Sequence, residues 1–268
     1  PYLRPIWKET TEREALLGVS MTGIMVNALT NGKHDNGLPS LAMRLQMFRR
    51  IAVDTNEFYA KRLGINKAAA VTAVKPSGTV SQLCDTASGI HARHNDYYIR
   101  TVRGDNKDPL TKFMTDQGIP SEPCVRQPEQ TTVFSFPMKS PHGSVTRHDM
   151  TAIEQLEMWL TYQRHFTCHK PSVTIDVTEE EWVRVGAWVY DHFDEMSGVS
   201  FLPRTEHTYQ QAPYQDCSEM EYEAAKREMP SRIDWSKLTD YEKEDTTKGS
   251  QTMACVGGVC ELVDIEAA

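Results

Sequence analysis

Two stretches of this 268-residue chain hold residue types with chemistry in them. Near the C-terminus, Cys255 and Cys260 flank Val256-Gly257-Gly258-Val259. Thiol–disulfide exchange needs an attacking thiolate, a second thiol to resolve the mixed disulfide, and access. A Gly-Gly pair lets the backbone reverse, so that the two sulfurs can meet at bonding distance. The segment therefore reads as an accessible redox dithiol on a tail. Half a zinc site is the competing reading. It lacks two further ligands, and the nearest other cysteine, Cys217, has no partner at CxxC spacing.

The second stretch is "KPSGTVSQL" at 75–83, directly after the apolar "AAAVTAV". A buried strand would run into Pro76, Ser77, Gly78, Thr79, Val80 and Ser81, with a helix starting at "VSQL". Amides at a helix start attract anions, Gly78 lets a phosphate approach the backbone, and Ser77, Thr79 and Ser81 add hydroxyls. The spacing is not that of a P-loop. A plain capped turn is the bland alternative. The place after a buried strand favours a ligand, because α/β proteins bind at the carboxyl ends of their strands. Downstream, "TASGIHARHNDYYIR" at 86–100 reads as a loop beside a pocket, with Gly89 and His91 as contacts. The pair His91-x-x-His94 does not make a metal site by spacing alone, and none is assigned.

The elements that must position these groups follow from periodicity. Helices are predicted over 9–29 and 39–64, the second opened by Pro39 and ended by Gly64. Strands are predicted at 68–74, 97–103, 131–138 and 172–177, with helices at 107–117, 148–166 and 178–193 between them. Thr178 before Glu179, Glu180 and Glu181 marks a capped start. Strands alternating with helices predict an α/β fold with mainly parallel pairing. Three segments result: a helical one at 1–66, strands and helices at 67–213, and a polar tail at 214–268 with a short helix at 218–228. The stretch at 239–254 reads as a mobile linker. Of the other cysteines, Cys84 is expected in the core and Cys168 in a structural role, with Cys124 and Cys217 in loops.

Composition sets limits on function. A charge of −8 argues against a basic nucleic-acid surface. No apolar run reaches the roughly 18 to 20 residues of a membrane helix. The start lacks both a signal-peptide apolar region and an initiator Met, so a processed, spliced or excised beginning is expected, and the cysteine usage makes a reduced cytoplasmic setting the default. Six cysteines are too few for a disulfide scaffold at this length.

Several stretches, in chain order, carry a family resemblance: "ALLGVSMTGI" (15–24), "KPSGTVSQL" (75–83), "SGIHARHNDYYIRTVR" (88–103), "DPL" (108–110), "VFSFPMK" (133–139), "SVTIDV" (172–177), "SFLPRTEHTYQQAP" (200–213) and "CVGGVCEL" (255–262). Together they resemble the C-terminal part of adenosylcobalamin-dependent (class II) ribonucleotide reductases, most closely the monomeric ribonucleoside-triphosphate reductase type. The resemblance implies the C-terminal portion of a ten-stranded α/β barrel followed by a mobile tail. It implies reduction of the ribose 2'-hydroxyl by thiyl-radical chemistry, giving deoxyribonucleotides. Substrate phosphates would sit on Pro76–Ser81. Cys255 and Cys260 would re-reduce the active site and be re-reduced by thioredoxin or a glutaredoxin-like protein. Adenosylcobalamin is implied as cofactor by the resemblance alone.

The family's Asn-Pro-Cys-Gly-Glu-type loop, which carries the radical cysteine and its Glu, has no match here. The expectation is a split enzyme or fragment, active only with a separate N-terminal chain that supplies them. Half a barrel would expose unpaired strand edges and one face of its core. The competing readings are a non-catalytic nucleotide-binding assembly or regulatory subunit, and the corresponding part of a diiron or glycyl-radical reductase.

Overall fold

A computed structural model describes residues 4–33, 39–204 and 209–243, and the backbone of 252–256 and 259–263. The first elements are α1 (Pro5–Glu14), β1 (Val19–Ser20), α2 (Leu41–Leu63), β2 (Thr72–Ala73) and the one-turn α3 (Val80–Leu83). Then come β3 (Tyr97–Asp105), α4 (Pro109–Asp116), β4 (Ser121–Pro123), β5 (Thr131–Lys139), α5 (Ala152–His165) and β6 (Ser172–Val177). The last are α6 (Trp182–Asp191), β7 (Gly198–Pro203), β8 (Tyr214–Asp216), α7 (Glu219–Glu228), α8 (Leu238–Tyr241), β9 (Thr252–Val256) and β10 (Val259–Val263).

Contacts divide the chain into two units, 1–96 with 140–206, and 97–139 with 207–268. The breaks fall at positions that the composition does not mark. In the first unit, β1 pairs with β2 and β6 with β7, all parallel. A parallel bridge from Val74 to Pro171 links the two pairs, so the strands run in the order β1-β2-β6-β7. β6 alternates cleanly: Val173, Ile175 and Val177 are buried, while Ser172, Thr174 and Asp176 lie on the other face. Trp159 and Tyr162 of α5 are fully buried in the core with Leu45 of α2. Their polar atoms are satisfied, because Trp159 Nε1 donates to the Pro171 carbonyl at 3.0 Å and Tyr162 Oη to the Thr30 carbonyl at 2.9 Å.

Helix ends follow the sequence signals. Ser40 caps α2, and Gly64 ends it at φ +69°. Thr151 with Glu154, and Thr178 with Glu181, form capping boxes. Glu181 also accepts the Ala152 N–H at 2.7 Å, tying the starts of α5 and α6 together.

The helix expected over 9–29 stops at Glu14. Ala15 turns left-handed at φ 44°, Val19–Ser20 joins the sheet, and Gly23 turns at φ +72°. A side chain at Gly23 would meet Thr86 Oγ1 at 2.3 Å, so the apolar residues of this stretch serve a strand and turns rather than a helix face. The segment 1–66 is accordingly not all helical.

The mainly parallel pairing expected holds for the first unit only. In the second unit the order is β4-β5-β3-β8, all antiparallel, with Tyr97–Asp105 running against Thr131–Lys139. Phe113 of α4 is fully buried and packs on Trp235 and Tyr241, at ring distances of 5.3 and 5.5 Å. Gln211, buried and at φ 59°, accepts the Val125 N–H at 2.9 Å and donates to Glu122 and the Pro123 carbonyl. The "QQAP" segment thus secures the β4 side of this sheet. No helix among the described residues is long and apolar enough to cross a membrane.

Candidate functional site

The segment 75–81 leaves the carboxyl end of β2, as the sequence predicts. Its backbone is fixed from both sides. On the β1 side, Ser20 Oγ accepts the Lys75 N–H at 3.0 Å. Two residues on, Thr22 Oγ1 lies 2.5 Å from Ser77 Oγ. From the other side comes the turn at Gly89, whose N–H is shared between Thr22 Oγ1 and Ser77 Oγ, each at 3.0 Å. Ser88 Oγ donates to the Pro76 carbonyl. Gly89 sits at φ +55°, and a Cβ there would lie 2.3 Å from the Lys75 carbonyl oxygen. Only glycine gives both that conformation and that approach.

One arrangement of the hydrogens satisfies every one of these contacts. In it the Thr22 hydroxyl gives its hydrogen to the Ala87 carbonyl at 3.1 Å and the Ser77 O–H donates to Thr22 Oγ1 across the short contact. Ser77, at φ 44°, spends its hydroxyl on the brace. Ser81 is fully buried; its hydroxyl donates to the Ser77 carbonyl at 2.5 Å and its N–H to the same oxygen at 3.0 Å. The groups the segment offers to a ligand are therefore different from the hydroxyl-rich set read from the sequence. They are the N–H groups of Gly78, Thr79 and Val80, which find no acceptor among the described residues, and the exposed Thr79 side chain. A Cβ at Gly78 would meet nothing within 4 Å. Since α3 has only four residues, what the segment presents is this run of open amides rather than a macrodipole.

His91 is held rather than free. Its Nδ1 lies 2.9 Å from the Ser88 carbonyl, and the Thr174 N–H of β6 donates to Nε2 at 3.0 Å. Nε2 is thus the unprotonated nitrogen, Nδ1–H donates to Ser88, and no lone pair is left for a ligand. Among the described residues no group of three or more His, Cys, Asp or Glu is placed to hold a metal.

A cavity of about 1030 Å³ adjoins the start of the segment, lined by Leu17, Gly18, Ala73, Lys75, Cys168 and His169 among others; Pro76–Ser81 are not part of its wall. Burial alone pushes the Cys168 thiol up. Hydrogen bonds from the Thr72 hydroxyl and from the backbone at Thr72 and Val71, with the charge of Arg49, overcome it and bring the thiol down to about 7. Cys84, expected in the core, is exposed, because α3 ends at Leu83 after a single turn that turns Leu83 and Cys84 out to solvent. Among the described residues Cys124 is the buried cysteine.

At the other end of the chain, β9 and β10 form an antiparallel pair in which Cys255 stands opposite Cys260. Directly opposed residues in such a pair have Cα atoms roughly 4.5 to 5.5 Å apart, inside the range a disulfide spans. Gly257 and Gly258, and the linker residues 244–251, lie outside the described residues. Sequence reasoning missed Ser20 and Thr22, which the predicted 9–29 helix absorbed. The β-branched Val19 ahead of Thr22-Gly23 was the available signal.

The fold is similar to that of a solved ribonucleotide reductase. A crystal structure of a B12-dependent (class II) ribonucleotide reductase matches with a TM-score of 0.77 at 23% identity, over 91% of this chain and 37% of that one. Among curated relatives, the adenosylcobalamin-dependent ribonucleoside-triphosphate reductase of Euglena gracilis is 28% identical over 95% of this chain. That of Lactobacillus delbrueckii subsp. bulgaricus is 25% identical over 98%, and a probable one from Dictyostelium discoideum is 28% identical over 90%. The chain spans 35%, 39% and 32% of the lengths of these three proteins. No family model matches.

Proposed function

We propose that this chain carries the substrate-phosphate loop and the reducing dithiol of an adenosylcobalamin-dependent ribonucleotide reductase acting on ribonucleoside triphosphates. The observation that carries the reading is the braced loop at the end of β2, with the amides of Gly78, Thr79 and Val80 unspent, inside a ribonucleotide reductase fold. The polyphosphate lies on those amides, and Thr79 adds its hydroxyl. Cofactor and substrate class come from the relatives' names. The opposed Cys255 and Cys260 suit the dithiol role. One thiolate attacks an active-site disulfide, the other resolves the mixed disulfide, and two electrons leave the tail as its own disulfide forms. Thioredoxin or a glutaredoxin-like dithiol protein then restores it.

Further polypeptide completes the ten-stranded barrel and supplies the radical cysteine and its Glu. Two features support this. Among the described residues the outer edges of β1 and β7 have no strand partner. An apolar groove of about 610 Å³ runs beside β1, lined by Leu17, Val19, Ile51, Tyr59, Leu63 and Ile65, all of them exposed. A neighbouring strand and its helix would cover both edge and groove.

The test is the double variant Cys255→Ser/Cys260→Ser in the completed enzyme. Loss of multiple turnover with thioredoxin, with one turnover kept, supports the proposal. Unchanged multiple turnover removes the dithiol role. Absence of triphosphate binding to the wild-type loop removes the phosphate role.

A further inference from the structure

The loop's open amides are useful only if they converge, and nothing in Gly78, Thr79 or Val80 holds them there. What holds the loop is outside it. Thr22 Oγ1 receives the Ser77 hydroxyl at 2.5 Å and shares the Gly89 N–H at 3.0 Å, while its own hydrogen goes to the Ala87 carbonyl at 3.1 Å. One hydroxyl thus joins the segment after β1, the loop after β2 and the Ala87–Gly89 turn. The side chain is half-buried, so these bonds are partly shielded from water. The backbone follows the same path: Gly23 N–H donates to the Ala87 carbonyl at 2.8 Å, and Ile24 N–H to the Gly89 carbonyl at 3.2 Å. Gly89 in turn lies so near the Lys75 carbonyl that a Cβ there would collide with it.

We propose that Thr22 is a positioning residue for the phosphate loop: through Ser77 and Gly89 it sets the conformation in which the amides of Gly78 to Val80 accept a triphosphate. It does not itself touch the phosphates. The inference rests on the phosphate-loop reading of the previous subsection. A hydroxyl is required because the position must both accept two hydrogen bonds and donate one. Valine keeps the shape of threonine and does none of these, whereas serine keeps all three.

The test uses the full chain with Thr22→Val and Thr22→Ser, read in two ways. Sodium triphosphate binding is measured by calorimetry, and exchange of the Gly89 amide hydrogen by mass spectrometry or NMR. The expected result is affinity weakened roughly tenfold in Thr22→Val, the equivalent of one net hydrogen bond. Faster Gly89 exchange accompanies it, and Thr22→Ser restores both within about twofold. Should Thr22→Val not fold, Ser77→Ala removes the other half of the same bridge and is read identically. Unchanged Gly89 exchange overturns the brace. Faster exchange with unchanged affinity overturns its link to the ligand. If the wild-type chain binds no triphosphate, the phosphate-loop reading falls and takes the positioning role with it; that failure is recognisable because Gly89 exchange still responds to Thr22→Val.

Discussion

Gly89→Ala is the sharpest perturbation of the site. At φ +55° an alanine carries a conformational penalty of about 1 to 2 kcal/mol. Its Cβ would lie 2.3 Å from the Lys75 carbonyl oxygen, 3.3 Å from the Lys75 carbonyl carbon and 3.5 Å from Pro76 Cα, all backbone atoms. The turn must therefore move away from the loop by about an ångström, which breaks the N–H bond shared by Thr22 and Ser77. Leaving that buried amide unpaired adds about 1 to 3 kcal/mol. The sum, about 2 to 5 kcal/mol, lowers Tm by roughly 5 to 15 °C for a unit of this size. Thermal unfolding by circular dichroism reads the stability, and calorimetry with sodium triphosphate reads the loop, which should lose binding at least tenfold. The internal control is Gly78→Ala. With no positive φ and nothing within 4 Å of its Cβ, it should leave Tm unchanged while crowding the place where phosphate approaches. A Gly89→Ala protein with wild-type Tm would refute the close-approach reasoning. A Gly78→Ala protein with wild-type triphosphate affinity would refute the placement of the ligand.

Two further outcomes follow from the same structure. Cys168, brought down to about 7, should react with iodoacetamide along a pH profile whose midpoint lies near 7, and Thr72→Val should move that midpoint upward; a profile centred near 9 contradicts the hydrogen-bond account. Because the folded value is the lower one, the stabilisation from this thiolate is complete above the unfolded value and is lost as pH falls toward 7. Gln211→Ala should destabilise the second unit by about 2 to 3 kcal/mol, since three part-buried hydrogen bonds go with it; urea unfolding followed by circular dichroism checks it.

Much of the frame was legible because its signals are local. Ser40 and Gly64 bound α2, Thr178 and Glu181 start α6, and the alternation of 172–177 gives β6 with its two faces. The loop at 76–81 was legible as a turn after a buried strand. What the sequence hid was set by contacts between distant residues. β1 has two residues and exists only because β2 lies beside it. The antiparallel pairing of β3 with β5 depends on register, which alternation does not specify. The division of labour within the loop was hidden for the same reason. Ser77 and Ser81 look like phosphate donors in the sequence, yet Thr22, 55 residues upstream of Ser77, and the chain's own carbonyl at Ser77 consume their hydrogens.

The central claim is that this chain contributes the phosphate loop and the dithiol to a cobalamin-dependent reductase whose radical cysteine lies on other polypeptide. The most direct measurement combines the chain with a polypeptide carrying the Cys-Gly-Glu loop, adenosylcobalamin, thioredoxin and a ribonucleoside triphosphate, and follows formation of the deoxyribonucleotide. The account predicts sustained turnover in the complete mixture, none when either polypeptide is omitted, and a single turnover when Cys255 and Cys260 are both serine. Product from this chain alone, or a stable complex of the two polypeptides that forms no product, would contradict it.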